Sequence, residues 1–119
     1  MRFKSLRIYD EAMSLLSDIY KLTKLLPKDE IYNLTSQMNR AALSIPSNIA
    51  EGSGKDSKTD FARYISIAYG SCSELYCQLE AVTMLYPHLK ENCEILMRKL
   101  FSLSESMKKF KVTLKSNTK

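Results

Sequence analysis

Ser44-Ile45-Pro46-Ser47-Asn48-Ile49-Ala50-Glu51-Gly52-Ser53-Gly54 closes one run of helical period and opens a turn. Ile31, Leu34, Met38, Ala41 and Ile45 lead into it at alternating steps of three and four residues. That spacing lines one face of a helix. The glycines then end the run. Two residues break the pattern. Pro46 removes a backbone N–H, and its ring crowds the carbonyl four residues back. Asn48 stands where the period asks for an apolar side chain. Local conflicts of this kind mark function or assembly more often than bare stability. Asn48 is expected to satisfy backbone groups freed by Pro46 or to cap the helix end. The alternative is direct contact with a ligand or nucleic acid.

The same period continues on both sides of this segment. Leu6, Tyr9, Met13, Leu16 and Tyr20 precede it. Phe61, Ile65, Ala68, Cys72, Leu75, Leu79 and Val82 follow, and then Leu89, Cys93, Leu96, Leu100, Leu103, Met107, Phe110 and Leu114. No strand-like alternation competes with these runs. Breaks fall at Pro27-Lys28-Asp29, at Gly52–Asp56 and at Pro87-His88. Asp29 is expected to cap the second helix, and Ser57 the third, with Asp60 three residues on. The predicted helices cover about 5–26, 30–51, 58–86 and 89–114, with a basic tail at 115–119, in one domain spanning 1–119. Short loops make neighbouring helices antiparallel, so the fold class is all-α, an up-down-up-down four-helix bundle.

The length of 119 residues suits one core. No apolar run approaches the ~18 residues of a membrane span, and the N-terminus lacks the apolar core of a signal peptide. A cytoplasmic protein is expected, with no membrane partner. Cys72, Cys77 and Cys93 are odd in number and lack the CxxC pairs of zinc sites. His88 is the one histidine and reads as a loop or helix-start residue. No metal or cofactor is expected. The net charge of +5 is uneven. Five lysines and no acid lie in 107–119, and Arg2, Lys4 and Arg7 stand at the other terminus, whereas 8–106 carries ten bases and thirteen acids. In the expected topology both termini and the Gly52–Lys58 loop meet at one end of the bundle.

Helix one carries a second apolar stripe, Ile8, Ala12, Leu15, Ile19, Leu22 and Leu26, beside its assigned core seam of Leu6, Tyr9, Met13, Leu16 and Tyr20. Helix three likewise carries Ile67, Gly70, Cys77, Ala81 and Met84 on its outer side. Either these residues widen the core or they bury against other copies of the chain. The second reading makes Ile8, Leu15, Leu22, Ile67, Gly70, Cys77 and Met84 an oligomer interface, with two unlike faces that close into a ring. Gly70 costs about 1 kcal/mol relative to alanine inside a helix, which calls for close approach of another helix. Among polar residues, Arg40 is expected within about a turn of Glu74, and Glu51 of Arg63, as ion pairs that set helix register or link subunits. No nucleophile–base pair and no phosphate loop accompany them, so no enzyme is expected.

With these segments in view, the chain resembles the four-helix-bundle proteins encoded in 23S rRNA intervening sequences. The resemblance rests on Phe3–Leu6, on Gln37-Met38-Asn39-Arg40-Ala41-Ala42-Leu43-Ser44-Ile45-Pro46-Ser47-Asn48-Ile49-Ala50-Glu51-Gly52, on Phe61-Ala62-Arg63-Tyr64, and on Ala68-Tyr69-Gly70-Ser71-Cys72-Ser73-Glu74-Leu75-Tyr76-Cys77-Gln78-Leu79. It covers roughly 3–112 and makes Arg40, Asn48, Glu51, Gly52, Arg63, Gly70 and Glu74 its signature positions. The resemblance implies a ring, typically a homopentamer, and a distant relation to accessory proteins of diversity-generating retroelements, which contact a reverse transcriptase and nucleic acid. The functional expectation is a non-catalytic oligomer that binds RNA or DNA through phosphate contacts from Arg2, Lys4, Arg7, Lys55, Lys58, Lys108, Lys109 and Lys111. The alternative is a protein-interaction scaffold whose apolar faces dock a partner protein, without nucleic-acid contact.

Overall fold

The amphipathic runs fold into four helices: α1 (Arg7–Thr23), α2 (Leu34–Ser53), α3 (Lys58–Leu85) and α4 (Lys90–Ser116). A computed structural model describes residues 1–116, so Lys119 and the end of the expected basic tail lie outside the described residues. The described residues contain no strand. Each helix packs on its neighbours in the chain, α4 closes back on α1, and the backbones of the diagonal pairs α1/α3 and α2/α4 stay more than 8 Å apart, Cα to Cα. The resulting rod measures 50 × 22 × 19 Å. Four cross-helix contacts place the helices along it. Thr23 Oγ1 lies 3.0 Å from Asn39 Oδ1, and the Ser44 and Ser71 hydroxyls are 2.8 Å apart. Lys99 of α4 pairs with Asp18 of α1. The Phe61 and Phe110 rings meet edge-to-face at 5.3 Å.

Two helix starts differ from the sequence-based expectation. Arg2–Ser5 forms a separate 3-10 turn, Leu6 is extended, and α1 begins only at Arg7. Helix α2 begins at Leu34 rather than near residue 30, and Asp29 does not cap it. Lys28–Glu30 makes its own 3-10 turn. The Glu30 carboxylate takes the capping role instead, accepting from the Leu34 N–H at 3.5 Å and from Asn33 Nδ2 at 3.3 Å. A carboxylate there also faces the positive end of the helix dipole. At α3 the Ser57 hydroxyl accepts from the Asp60 N–H at 3.0 Å, which satisfies one of the donors a helix start leaves open.

The larger correction concerns α1. Ile8, Leu15 and Leu22, expected at an oligomer interface, are buried in the core of the single chain with Ala12, Ile19 and Leu26. The stripe assigned to the core lies toward the surface: Met13 is 41% exposed and Tyr20 43%, with Tyr9 and Leu16 half-buried. Both stripes have helical spacing, so period cannot rank them. Packing ranks them by chemistry. The inner stripe is wholly aliphatic, with Ala12 leaving room for close approach. The outer one carries two tyrosines whose hydroxyls need water or a partner. On α3, Ile67 (43% exposed), Gly70, Cys77 and Met84 lie at the surface.

Candidate nucleic-acid interface

The last turn of α2 rests directly on the first turns of α3, and Gly52 makes this contact close. A Cβ added there would stand 2.7 Å from Tyr64 Cβ, 2.9 Å from Phe61 Cδ1 and 3.3 Å from the Phe61 carbonyl. No described glycine has a positive φ, so the requirement is room rather than backbone conformation. The close contact fixes Phe61 and Tyr64, and basic side chains gather on their rings. The Arg2 guanidinium lies 5.2 Å over Phe61. Lys55 Nζ and Arg63 Cζ lie 5.1 and 4.9 Å from the Tyr64 centroid. Cations held this way keep their charge open to solvent while their stems cover apolar surface. Phe110 brings the end of α4 to the same place, and Phe3, packed on Tyr9 at 4.9 Å, ties down the N-terminal turn. Beside this cluster, Lys108 and Lys111 line a groove of about 220 Å³ with Ile65, Ser66, Tyr69 and Met107.

Of the eight expected phosphate-binding residues, Arg2 and Lys55 join the aromatic cluster and Lys108 and Lys111 flank it. Lys4, Arg7, Lys58 and Lys109 are exposed and make no ion pair or ring contact among the described residues. Arg63, outside that set, joins the cluster through Tyr64. Acid is present too: Asp60 Oδ1 sits 3.9 Å from Arg63 Nε, with both side chains largely exposed. Such a long surface pair contributes little, so Arg63 keeps most of its capacity for another anion. Sequence reasoning did not find that the buried Phe61 meets Phe110 here and that Phe61 and the half-buried Tyr64 seat the basic side chains. The alternation of Lys55, Phe61, Arg63 and Tyr64 in the sequence was the signal available.

The other signature residues lie along α2 and α3. Asn48 Nδ2 donates to the Ser44 carbonyl at 2.8 Å and to the Ser44 hydroxyl at 3.0 Å, and that hydroxyl meets Ser71. Asn48 thus stitches α2 to α3 through Ser44. It neither serves the Ala42 carbonyl, which is the one deprived by Pro46, nor caps the helix end. The expected ion pairs Arg40–Glu74 and Glu51–Arg63 do not form within the chain. Arg40, Glu51 and Glu74 are exposed on outward-facing stripes, and Arg63 turns to Asp60 and Tyr64. Nothing within 4 Å would meet a Cβ at Gly70, so the close approach expected there is absent from the single chain.

At the opposite end, the Tyr86 hydroxyl donates to Glu30 Oε2 at 2.5 Å. This bond, with help from the Leu34 N–H and Asn33, holds the Glu30 carboxyl below its usual range against the opposing effect of desolvation. The same bond, then desolvation and the charges of Glu30 and Asp29, raises the Tyr86 phenol. It joins the α1–α2 and α3–α4 connections across 56 residues of sequence, and local pattern gives no sign of it. His88 packs its ring against Tyr86 at 6.4 Å. Cys72 lies in the core, where burial pushes its thiol up to about 12. Burial also raises Cys93, while Cys77 is exposed. One buried polar atom, Gln78 Oε1, has no hydrogen-bond partner among the described residues.

Comparison with known proteins agrees with this architecture. A family model described as 23S rRNA-intervening sequence protein matches residues 4–109. No curated protein matches. Among solved structures, a protein of unknown function from the S23 ribosomal protein family of Bacteroides thetaiotaomicron VPI-5482 superposes with a TM-score of 0.77. It is 22% identical, and the alignment covers 84% of this chain and 94% of that one. At that identity the likeness speaks for the fold alone.

Proposed function

The chain belongs to the family of 23S rRNA-intervening sequence proteins, and from that premise we propose that it is a non-catalytic, self-associating helical bundle that binds RNA or DNA with its basic end. The observation that carries the reading is the gathering of Arg2, Lys55 and Arg63 on the Phe61 and Tyr64 rings, with Lys108 and Lys111 alongside. Cations gathered at one end suit a polyanion whose backbone phosphates take the charge. Phe61 is buried and only seats Arg2, so the half-buried Tyr64 is the ring of the cluster within reach of a base. An up-down-up-down antiparallel course is supported by the cross-helix contacts: the end of α1 meets the start of α2, the middles of α2 and α3 meet, and the start of α3 meets the end of α4. Such a course brings both termini to the Gly52–Lys58 loop. Self-association, as a ring and in the family's manner a pentamer, is favoured by the surface stripes Met13/Tyr20 on α1 and Ile67/Cys77/Met84 on α3. The described residues contain no helix long and apolar enough to cross a membrane, and the rRNA link in the family's name favours a cytoplasmic setting.

A mobility-shift titration against single- and double-stranded RNA and DNA tests the reading. With about four phosphate contacts, affinity falls roughly a hundredfold between 50 and 200 mM salt. Joint replacement of Lys55, Lys108 and Lys111 by Gln flattens that dependence. Absence of binding at low salt overturns nucleic-acid binding and favours the second reading, a protein scaffold. One feature supports that rival: a groove of about 360 Å³ between α3 and α4, lined by Tyr69, Tyr76, Leu100 and the largely exposed Phe101.

A further inference from the structure

The outward stripes of α2 and α3 repeat one charge pattern. Arg40 and Glu51 stand eleven residues apart on α2, and Arg63 and Glu74 stand eleven residues apart on α3. Each pair spans about 16 Å, or three turns. All four side chains are exposed. Among the described residues Arg40, Glu51 and Glu74 have no ion pair, and Arg63 has only its long contact with Asp60. Between the charges, α2 presents Leu43, 48% exposed, and α3 presents Ile67 and Gly70. Gly70 is a helix-interior glycine with open space above it, so nothing among the described residues accounts for it.

We infer that α2 of one copy lies antiparallel on α3 of the next, with Leu43 seated in the notch at Gly70. Setting Arg40 against Glu74 of the partner subunit brings Glu51 to Arg63 of the partner subunit by the shared spacing. It also brings Leu43 within one residue of Gly70. Three features drawn from different chemistry thus fall into one register: opposite charges at both ends and a knob over a hole between them. A second copy is the occupant because the two stripes complement each other and each copy carries both. The contact is heterologous. Adjacent corners of a four-cornered bundle face about a right angle apart, a turn that closes a small ring. The inference rests on the self-association proposed above; it keeps the α3 face named there and sets α2, rather than the α1 stripe, against it.

Light scattering with sedimentation equilibrium on the full chain tests it. The wild type is expected as a multiple of 13.7 kDa. Arg40→Glu and Glu74→Arg are each expected to weaken assembly at least tenfold, and the double variant R40E/E74R to recover it. Gly70→Leu is expected to keep its helicity and thermal unfolding, since the site is open in the single chain, and to lose assembly. A wild type that assembles, together with G70L and R40E that assemble equally well, overturns this surface and leaves self-association standing. Failure of R40E/E74R to recover overturns the proposed pairing. A wild type that stays monomeric at every concentration overturns self-association and this surface with it.

Discussion

Gly52 and Gly70 are two helical glycines on the same pair of helices, and they do opposite things. At Gly52 the α2 backbone is so close to α3 that a methyl group has no room. At Gly70 the space beyond the backbone is empty. The first is explained by packing inside the chain and positions Phe61 and Tyr64 for the basic cluster. The second gains nothing inside the chain and gives up about 1 kcal/mol of helix propensity. A glycine in a helix therefore means close approach in one place and, in the other, points outward. The same contrast of closed and open sides runs along α1, between the buried Leu15 stripe and the half-exposed Met13 stripe.

The sharpest way to break this contrast is on α1. Leu15→Ala should lower unfolding free energy by about 2–5 kcal/mol, whereas Met13→Ala should change it by less than about 1 kcal/mol. Equal losses in urea unfolding would erase the distinction between the stripes. Gly52→Ala comes next. Overpacking of about 1–3 kcal/mol exceeds the helix-propensity gain, so a net loss is expected. A more stable G52A protein would show that α3 can yield at Tyr64. Gly70→Ala should do the reverse and stabilise the isolated chain by up to about 1 kcal/mol, read as a higher urea midpoint under monomeric conditions.

The smallest effect sits at the far end, away from either glycine. Because the Glu30 carboxyl is lowered in the folded chain, its stabilisation is present above its ordinary value of 4.5 and is lost as pH falls through the lowered value. Because the Tyr86 phenol is raised, its share is present below 10 and is lost as pH rises through the raised value. Tyr86→Phe should therefore lower the thermal midpoint near neutral pH and match the wild type in strong acid and strong base. A constant offset across pH would assign the difference to packing instead.

Much of the molecule was legible in the chain. The four apolar periods, the breaks at the Gly52–Asp56 turn and at Pro87, and the Ser57 cap all follow from local rules, whereas helix one, expected to run to residue 26, ends at Thr23. The basic character of both termini was equally plain. Within the candidate site, Lys55 and Arg2 were legible as charges but not as partners of Tyr64 and Phe61. Charge can be read from composition, but a ring's neighbours depend on which helices meet. Arg40 and Glu74 do not pair within the chain for a related reason. Their expected proximity said nothing of side-chain direction, and both point outward.

By itself the sequence determined that four helices form and, to within a few residues, where they break, because helical period, glycine, proline and capping residues act within a few positions of one another. Which α1 stripe became core, why Gly52 admits no side chain, and how Glu30 reaches Tyr86 were decided only in the tertiary structure. Those outcomes depend on the shapes of facing surfaces brought together from distant parts of the chain. Spacing along a single helix carries no information about what stands opposite it.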